Sequence, residues 1–250
     1  MSAEPRKRLD LLLVDRGLAQ SRERAQALIL AGKVLVDDEP AKKAGTAYLL
    51  SVAIRLREPD HPYVSRGALK LIGALDTFLI SVIGKVGLDI GASTGGFTQV
   101  LLERGASKVI AIDVGTNQMD WKIRSDPRVT CLEKTNARNL KEEDIRQKVD
   151  IVVMDVSFIS LDKIFPAVFP LVHKGGDVVT LVKPQFEVGK ADVGRGGIVT
   201  SDVARRNSLE RITEFAKTLG WNRVQWVESP ITGTDGNIEY LAHWRREHEG

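Results

Sequence analysis

Charged side chains that close apolar strands are the first candidates for chemistry in this 250-residue chain. Asp155 follows Ile151-Val152-Val153-Met154, Lys183 follows Val178-Val179-Thr180-Leu181-Val182, and Glu239 interrupts Gly236-Asn237-Ile238-Glu239-Tyr240-Leu241. A charge at the end of a buried strand is costly unless it is paired or used. Each alone fits a structural ion pair; three at one rim of a sheet fit a reaction site better. A fourth, Lys70, sits beside the apolar face of an amphipathic helix that carries Leu71, Ile72, Leu75, Phe78 and Leu79. A lysine snorkelling at the helix edge is the plain alternative there.

A place for a ligand is written between Val86 and Phe97, where a strand of Val86, Leu88 and Ile90 runs into Gly91-Ala92-Ser93-Thr94-Gly95-Gly96-Phe97. Glycines let the backbone turn sharply and approach a ligand, and a helix opening at Gly95 or Gly96 aims free N–H groups at it. An ordinary strand-turn-helix corner is the competing reading. The spacing is not the Gly-x-Gly-x-x-Gly of dinucleotide folds. With Asp89 two residues before Gly91, it resembles the S-adenosylmethionine motif of class I methyltransferases, Asp/Glu-x-Gly-x-Gly-x-Gly, with Ser93 in the place of the middle glycine. Asp113 ends the next apolar stretch, Val109 to Ile112, where a carboxylate can accept both hydroxyls of a ribose. Asn136 and Ala137, after the third strand, mark where an adenine would lie, and a plain loop would look the same.

The elements that must position these residues alternate. Strands are expected at 86–90, 108–112, 129–132, 150–154, 177–182, 222–227 and 238–243, with helices to Arg104, at 141–147, at 161–168 and at 202–219. Such alternation predicts a mostly parallel, doubly wound sheet whose site lies outside the carboxyl ends of its strands. Gln185 to Thr200 is a long loop with four glycines, Lys190 and Arg195, read either as a lid closing on RNA or as a surface loop. His243, Arg245, Arg246 and His248 read as a solvated tail, with Trp244 packing.

Net charge is +3, and its distribution matters more than its size: residues 1–58 carry 11 Lys and Arg against 8 Asp and Glu, and the other 192 carry 25 against 25. A basic segment on an otherwise neutral chain is the footprint of a polyanion-binding module. That segment reads as a helix from Arg8 to Gly17, a second capped by Ser21, and short strands at 34–36 and 52–56. Arg8, Arg22, Arg24, Lys33, Lys42 and Lys43 are placed to meet phosphates, with Arg66 beyond the boundary. Glu58-Pro59-Asp60-His61-Pro62 reads as a stiff linker, dividing the chain into 1–58, a linker at 59–63, and 64–250. No apolar run approaches the ~18 residues of a membrane helix, so no membrane association is expected. The single cysteine, Cys131, fits a reducing cytoplasm.

Through Arg8-Leu9-Asp10, Ser21-Arg22, Ala25, Ala31-Gly32 and Val34 to Val36, the segment 7–57 resembles the small RNA-binding domain first described in ribosomal protein S-four. Five further segments resemble ribose 2′-O-methyltransferases of the FtsJ superfamily, and more closely the hemolysin A (TlyA) family, in which an S-four-type domain precedes such a methyltransferase. They are 64–71, 89–98, Asp155-Val156-Ser157-Phe158-Ile159-Ser160-Leu161, Val182-Lys183-Pro184-Gln185-Phe186-Glu187 and 236–241. The resemblance implies an α/β class I methyltransferase fold, Rossmann-like, behind a small α+β RNA-binding domain. It implies S-adenosylmethionine as cofactor, held by Asp89, Gly91, Ala92, Ser93, Thr94, Gly95, Gly96, Phe97, Asp113, Asn136 and Ala137. It implies a catalytic tetrad of Lys70, Asp155, Lys183 and Glu239, and ribosomal RNA or ribosomal subunits as partner, with a cytidine ribose as acceptor. A ribose hydroxyl is a poor nucleophile, so a base or strong acceptor must orient it. Lys183, with its basicity lowered by a second ammonium and partial burial, would take that proton, Asp155 and Glu239 would hold the lysines, and Lys70 would position the substrate or tune Lys183. Two rival classes follow: a membrane-lysing protein, raised by the family's historical name, and a ribosome-binding factor without catalysis. A pseudouridine synthase shares the amino-terminal module but has no use for the glycine turn.

Overall fold

Near-continuous apolar strands are stable only when both faces of their sheet are covered. The computed structural model describes residues 4–57, 61–233 and 235–246. The chain divides into two compact units, 1–62 and 63–250. Glu58, Pro59 and Asp60 of the expected linker, and His248, lie outside the described residues.

In the first unit β1 (Arg6–Arg8) leads into α1 (Leu9–Asp15) and α2 (Arg22–Leu30), followed by β2 (Val34–Val36), β3 (Glu39–Pro40), β4 (Ala47–Leu49) and β5 (Ile54–Leu56). Ser21 caps α2 by accepting the Arg24 N–H at 3.2 Å. β2 pairs antiparallel with β3 and β5, and Asp37 and Asp38 turn the β2–β3 hairpin with φ of 48° and 66°. Leu9, Leu13, Ala25, Leu28, Ile29, Val34 and Val36 form its core. The β1–β4 pair was not expected, because three basic residues carry no strand alternation.

The second unit begins with α3 (Gly67–Thr77) and continues β6 (Val86–Ile90), α4 (Gly96–Glu103), β7 (Lys108–Ile112), α5 (Trp121–Arg124), β8 (Val129–Leu132), α6 (Glu142–Ile145) and β9 (Val149–Met154). α7 (Phe165–Val168), β10 (Val172–Val182), α8 (Pro184–Glu187), α9 (Asp202–Thr218), β11 (Trp221–Glu228) and β12 (Tyr240–Arg246) complete it. The sheet order is β11-β12-β10-β9-β6-β7-β8; β12 is antiparallel to both neighbours and the other pairs are parallel. Strand alternation splits the core. Val152 and Met154 pack with Phe165, Leu209 and Ile212 on one face, and Ile151 and Val153 with Leu71, Leu75 and Leu101 on the other. β6 lies between β7 and β9, so the chain reverses direction across the sheet there and opens a crevice at the carboxyl ends of β6 and β9.

Of the residues read as a solvated tail, Arg245 and Arg246 are exposed but His243 is not. His243 and Trp244 are buried on β12, and the His243 ring and Arg245 guanidinium both meet buried Asp177, at 2.9 and 2.8 Å. The 185–200 segment is tied down by buried Asn237, whose Oδ1 accepts the Val199 N–H at 3.0 Å and whose Nδ2 donates to the Gly197 carbonyl at 2.9 Å.

Candidate active site

The turn after β6 is glycine where geometry demands it. Gly91 has φ +81°, and a Cβ there would lie 2.5 Å from the Asp155 carbonyl oxygen. A Cβ on Gly96 would lie 2.2 Å from Ser65 Oγ. Ser93 takes the middle glycine's place in the left-handed region, at φ 47°, and its N–H donates to Asp113 Oδ2 at 2.8 Å. Gly95, also left-handed, occupies the N-cap position of α4.

Two adjoining cavities open at this rim, of about 340 and 450 Å³, sharing Gly91, Ser93, Asp155 and Ser157 in their walls. The larger carries Asp113, Asn136 and Ala137 beside an apolar wall of Ile112, Val114, Val156, Ile159 and Ile164. Asp113 is fixed by the Ser93 and Gly115 N–H groups, one on each oxygen, which leaves lone pairs free on both. The smaller carries Ala92, Thr94, Gly96, Phe97 and Arg66 together with Lys70, Asp155, Lys183 and Glu239. These surroundings fit an adenosyl group: a flat apolar slot, a carboxylate for a diol, and a turn stripped of side chains at its inner end.

Four ionic groups come together from α3 and from the ends of β9, β10 and the β11–β12 connection. Lys183 Nζ lies 2.7 Å from Asp155 Oδ1, and Lys70 Nζ lies 2.6 Å from Glu239 Oε2. Lys70, Lys183 and Glu239 are only 7, 8 and 2% exposed, so Lys70 is not snorkelling. The pairing is two separate ion pairs on one cleft. Ser157 Oγ accepts a second Lys183 hydrogen bond at 2.8 Å, and Gln185 Nε2 donates to Glu239 Oε1 at 3.4 Å. A Cβ on Gly233 would meet Glu239 Oε1 at 2.6 Å, so the absence of a side chain there leaves room for that carboxylate.

Two residues expected on the cofactor stand behind it. Gly95 packs on Ile123 and lines neither cavity. Asp89 is fully buried on the α4 face of β6, accepts from Thr98 Oγ1 at 2.7 Å, and is pushed up to about 7 by burial. The other raised carboxyl near the site is Glu187, also brought to about 7 by burial. Ser157, Ser65, Gln185 and Gly233 escaped the sequence reading because each acts only once the loops meet. Phe158 escaped too: it is 90% exposed, holds φ 64°, and sets its ring 5.1 Å from that of Phe186. Its place one residue after Ser157, at a strand's carboxyl end, was the available signal.

In the first unit, Arg8 and Arg22 are organised by a buried carboxylate. Asp10 accepts from Arg8 Nε at 3.0 Å, Arg8 Nη2 at 2.9 Å, Arg22 Nε at 3.0 Å and Gln26 Nε2 at 3.0 Å. The Arg8 guanidinium holds the Asp10 carboxyl well below the usual carboxylate range. Both arginines keep about half their side-chain surface in solvent, 45 and 50%. Lys42 and Lys43 are exposed, Lys33 is half-buried, and Arg24 donates to the His61 carbonyl at 3.3 Å.

A family model described as FtsJ-like methyltransferase matches residues 63–246, and one described as S4 domain matches residues 7–49. The chain is 50% identical over 242 residues to the 16S/23S rRNA (cytidine-2′-O)-methyltransferase TlyA of Mycobacterium tuberculosis, covering 96% of this chain and 90% of that protein. It is 42% identical over 245 residues to Hemolysin A of Brachyspira hyodysenteriae, covering 95 and 99%. A solved Streptococcus thermophilus protein that carries a hemolysin name superposes with a TM-score of 0.76 at 42% identity, over 98% of this chain and 90% of that one. Since the first match spans the crevice and every element that feeds it, and the relatives align along nearly the whole chain, the protein belongs to the FtsJ-like methyltransferase family, with an S4 domain ahead of its methyltransferase domain.

Proposed function

We propose that this chain is an S-adenosylmethionine-dependent RNA 2′-O-methyltransferase that acts on ribosomal RNA in the cytoplasm, with a cytidine ribose as acceptor. The observation that carries the proposal is the pair of ionic contacts, Lys183–Asp155 and Lys70–Glu239, on the wall of one cleft beside the glycine turn. The name of the 50% identical relative supports the substrate. Among the described residues no helix is long and apolar enough to cross a membrane.

When bound, the cofactor supplies an electrophilic methyl group on a sulfonium sulfur. Asp113, Asn136 and Ala137 would hold its nucleoside portion, and Gly91, Ala92, Ser93, Thr94, Gly96 and Phe97 its amino-acid end. Asp155 and Ser157 accept two N–H bonds from Lys183 Nζ, which directs its third valence into the cleft. With a lone pair in that position, the Lys183 amine orients the ribose hydroxyl and takes its proton as the oxygen attacks, and Asp155 holds the ammonium that results. Glu239 fixes Lys70 across the cleft, where its positive charge steadies the RNA backbone. Arg66 on the rim and the Asp10-organised arginines of the first unit add phosphate contacts that position RNA without reading sequence.

The test treats unmodified ribosomal subunits with enzyme and labelled cofactor and maps the blocked ribose positions. Lys183→Ala is expected to lower turnover by roughly 10²–10⁴-fold, as for loss of a positioned proton acceptor, with cofactor affinity kept. Near-normal turnover of Lys183→Ala, or label on a base, overturns the proposal.

A further inference from the structure

Glu187 takes no part in the cleft, yet it is buried and fully engaged. It lies one turn beyond Lys183, at the end of α8, and lines neither of the two cavities of the site. Its Oε1 accepts the Leu161 N–H at 2.9 Å, and its Oε2 accepts from Ser160 Oγ at 2.5 Å and from the Arg211 guanidinium of α9. Arg211 also donates to Ser160 Oγ and to Asp162 Oδ2, each at 2.9 Å. Two chain segments are therefore joined at two rungs. The first is Lys183 to Asp155 and Ser157; the second, four residues along one segment and about as far along the other, is Glu187 to Ser160 and Leu161. Between the rungs the Phe158 and Phe186 rings meet.

We propose that Glu187, anchored by Arg211, is a positioning residue for Lys183: it clasps the 155–161 segment onto α8 and so sets Asp155 and Ser157 against the lysine. The physical reason lies in the loop. Ser157 sits in irregular backbone after β9 and Ser160 caps only the short 3-10 turn Leu161–Lys163, so the stretch between the two rungs is held by no regular element and a rung at one end alone leaves it loosely placed. An apolar side chain at 187 would fill the space but leave the Leu161 N–H buried and unpaired. The inference rests on the role given to Lys183 above.

The experiment is single-turnover methylation of unmodified ribosomal subunits by the full chain, with cofactor binding by calorimetry. Glu187→Ala is expected to lower the methyl-transfer rate by roughly 10- to 100-fold, as a loss of alignment, with KM for RNA and cofactor affinity unchanged. Glu187→Gln keeps an acceptor for Leu161 and is expected to recover to within about 3-fold of the parent. Lys183→Ala/Glu187→Ala should be no slower than Lys183→Ala alone, because Glu187 acts through the lysine. Multiplying losses in that double variant, or full activity of Glu187→Ala, overturn the inference while leaving Lys183 in place. Normal turnover of Lys183→Ala instead overturns the underlying reading, and the inference with it. Should Glu187→Ala fail to fold, Ser160→Ala removes one bond of the rung and must show the same non-additivity with Lys183→Ala.

Discussion

Gly91→Ala separates backbone geometry from side-chain chemistry. Gly91 sits at φ +81°, and a methyl there would lie 2.5 Å from the Asp155 carbonyl oxygen and 3.1 Å from its carbon. Real Cβ contacts stay beyond 3.0 Å, so the β9 end must retreat by about 0.5 Å or more. A left-handed alanine costs about 1–2 kcal/mol before any clash. For a unit of this size 2 kcal/mol corresponds to a Tm lower by roughly 4–8 °C. Because a 1 Å misplacement costs about 10²-fold in rate, half of it at Asp155 predicts about a tenfold fall in kcat. Gly84→Ala is the control: it is also left-handed, at φ +71°, but a Cβ there meets nothing within 4 Å. Thermal unfolding and single-turnover methylation of both variants check the reasoning. Similar Tm losses with the rate lost only at Gly91 are expected; a Gly91→Ala enzyme at full speed, or a Gly84→Ala enzyme equally slow, would refute it.

Glu239→Gln strands the buried Lys70 ammonium and is expected to cost about 3–5 kcal/mol in urea unfolding, whereas adding Lys70→Met should restore most of the stability but not turnover. Asp89 binds a proton in the folded state up to about pH 7 and in the unfolded chain only to about 3.8, so its contribution to stability is complete below pH ~4 and is lost as pH rises through 7. Urea unfolding of Asp89→Asn at pH 5 and 7.5 should therefore show a flatter dependence than the parent, by about 2–3 kcal/mol; parallel curves would refute the shift. Phe158→Ala removes an exposed ring from a left-handed backbone position at the edge of the larger cavity and is expected to raise KM for RNA by roughly 10- to 100-fold, as for loss of one base stack, with Tm kept.

Much of the site was legible because its signals are local. A run such as Ile151 to Met154 followed by Asp155 places a charge at a strand end whatever the neighbours are, and the glycine spacing from Gly91 to Gly96 reports backbone demands of one turn. Asp89 misled for the same local reason. The motif puts it at the ligand, but strand alternation turns its side chain to the α4 face, against Thr98. His243 was misread as part of a tail because a histidine at the end of a strand looks solvated until buried Asp177 is placed beside it.

By itself the sequence determined the alternation of strands and helices, the amino-terminal basic excess, and three charges at strand ends, since each follows from composition or from periodicity over a few positions; Lys70 joined them only through the family resemblance. Tertiary structure alone decided that Lys183 pairs with Asp155 and Lys70 with Glu239, that Ser157 joins the first pair, and that Glu187 locks the loop behind it. Partners separated by up to 169 residues meet only after the sheet has ordered its strands, and which carboxylate answers which ammonium depends on ångström distances that no spacing along the chain encodes.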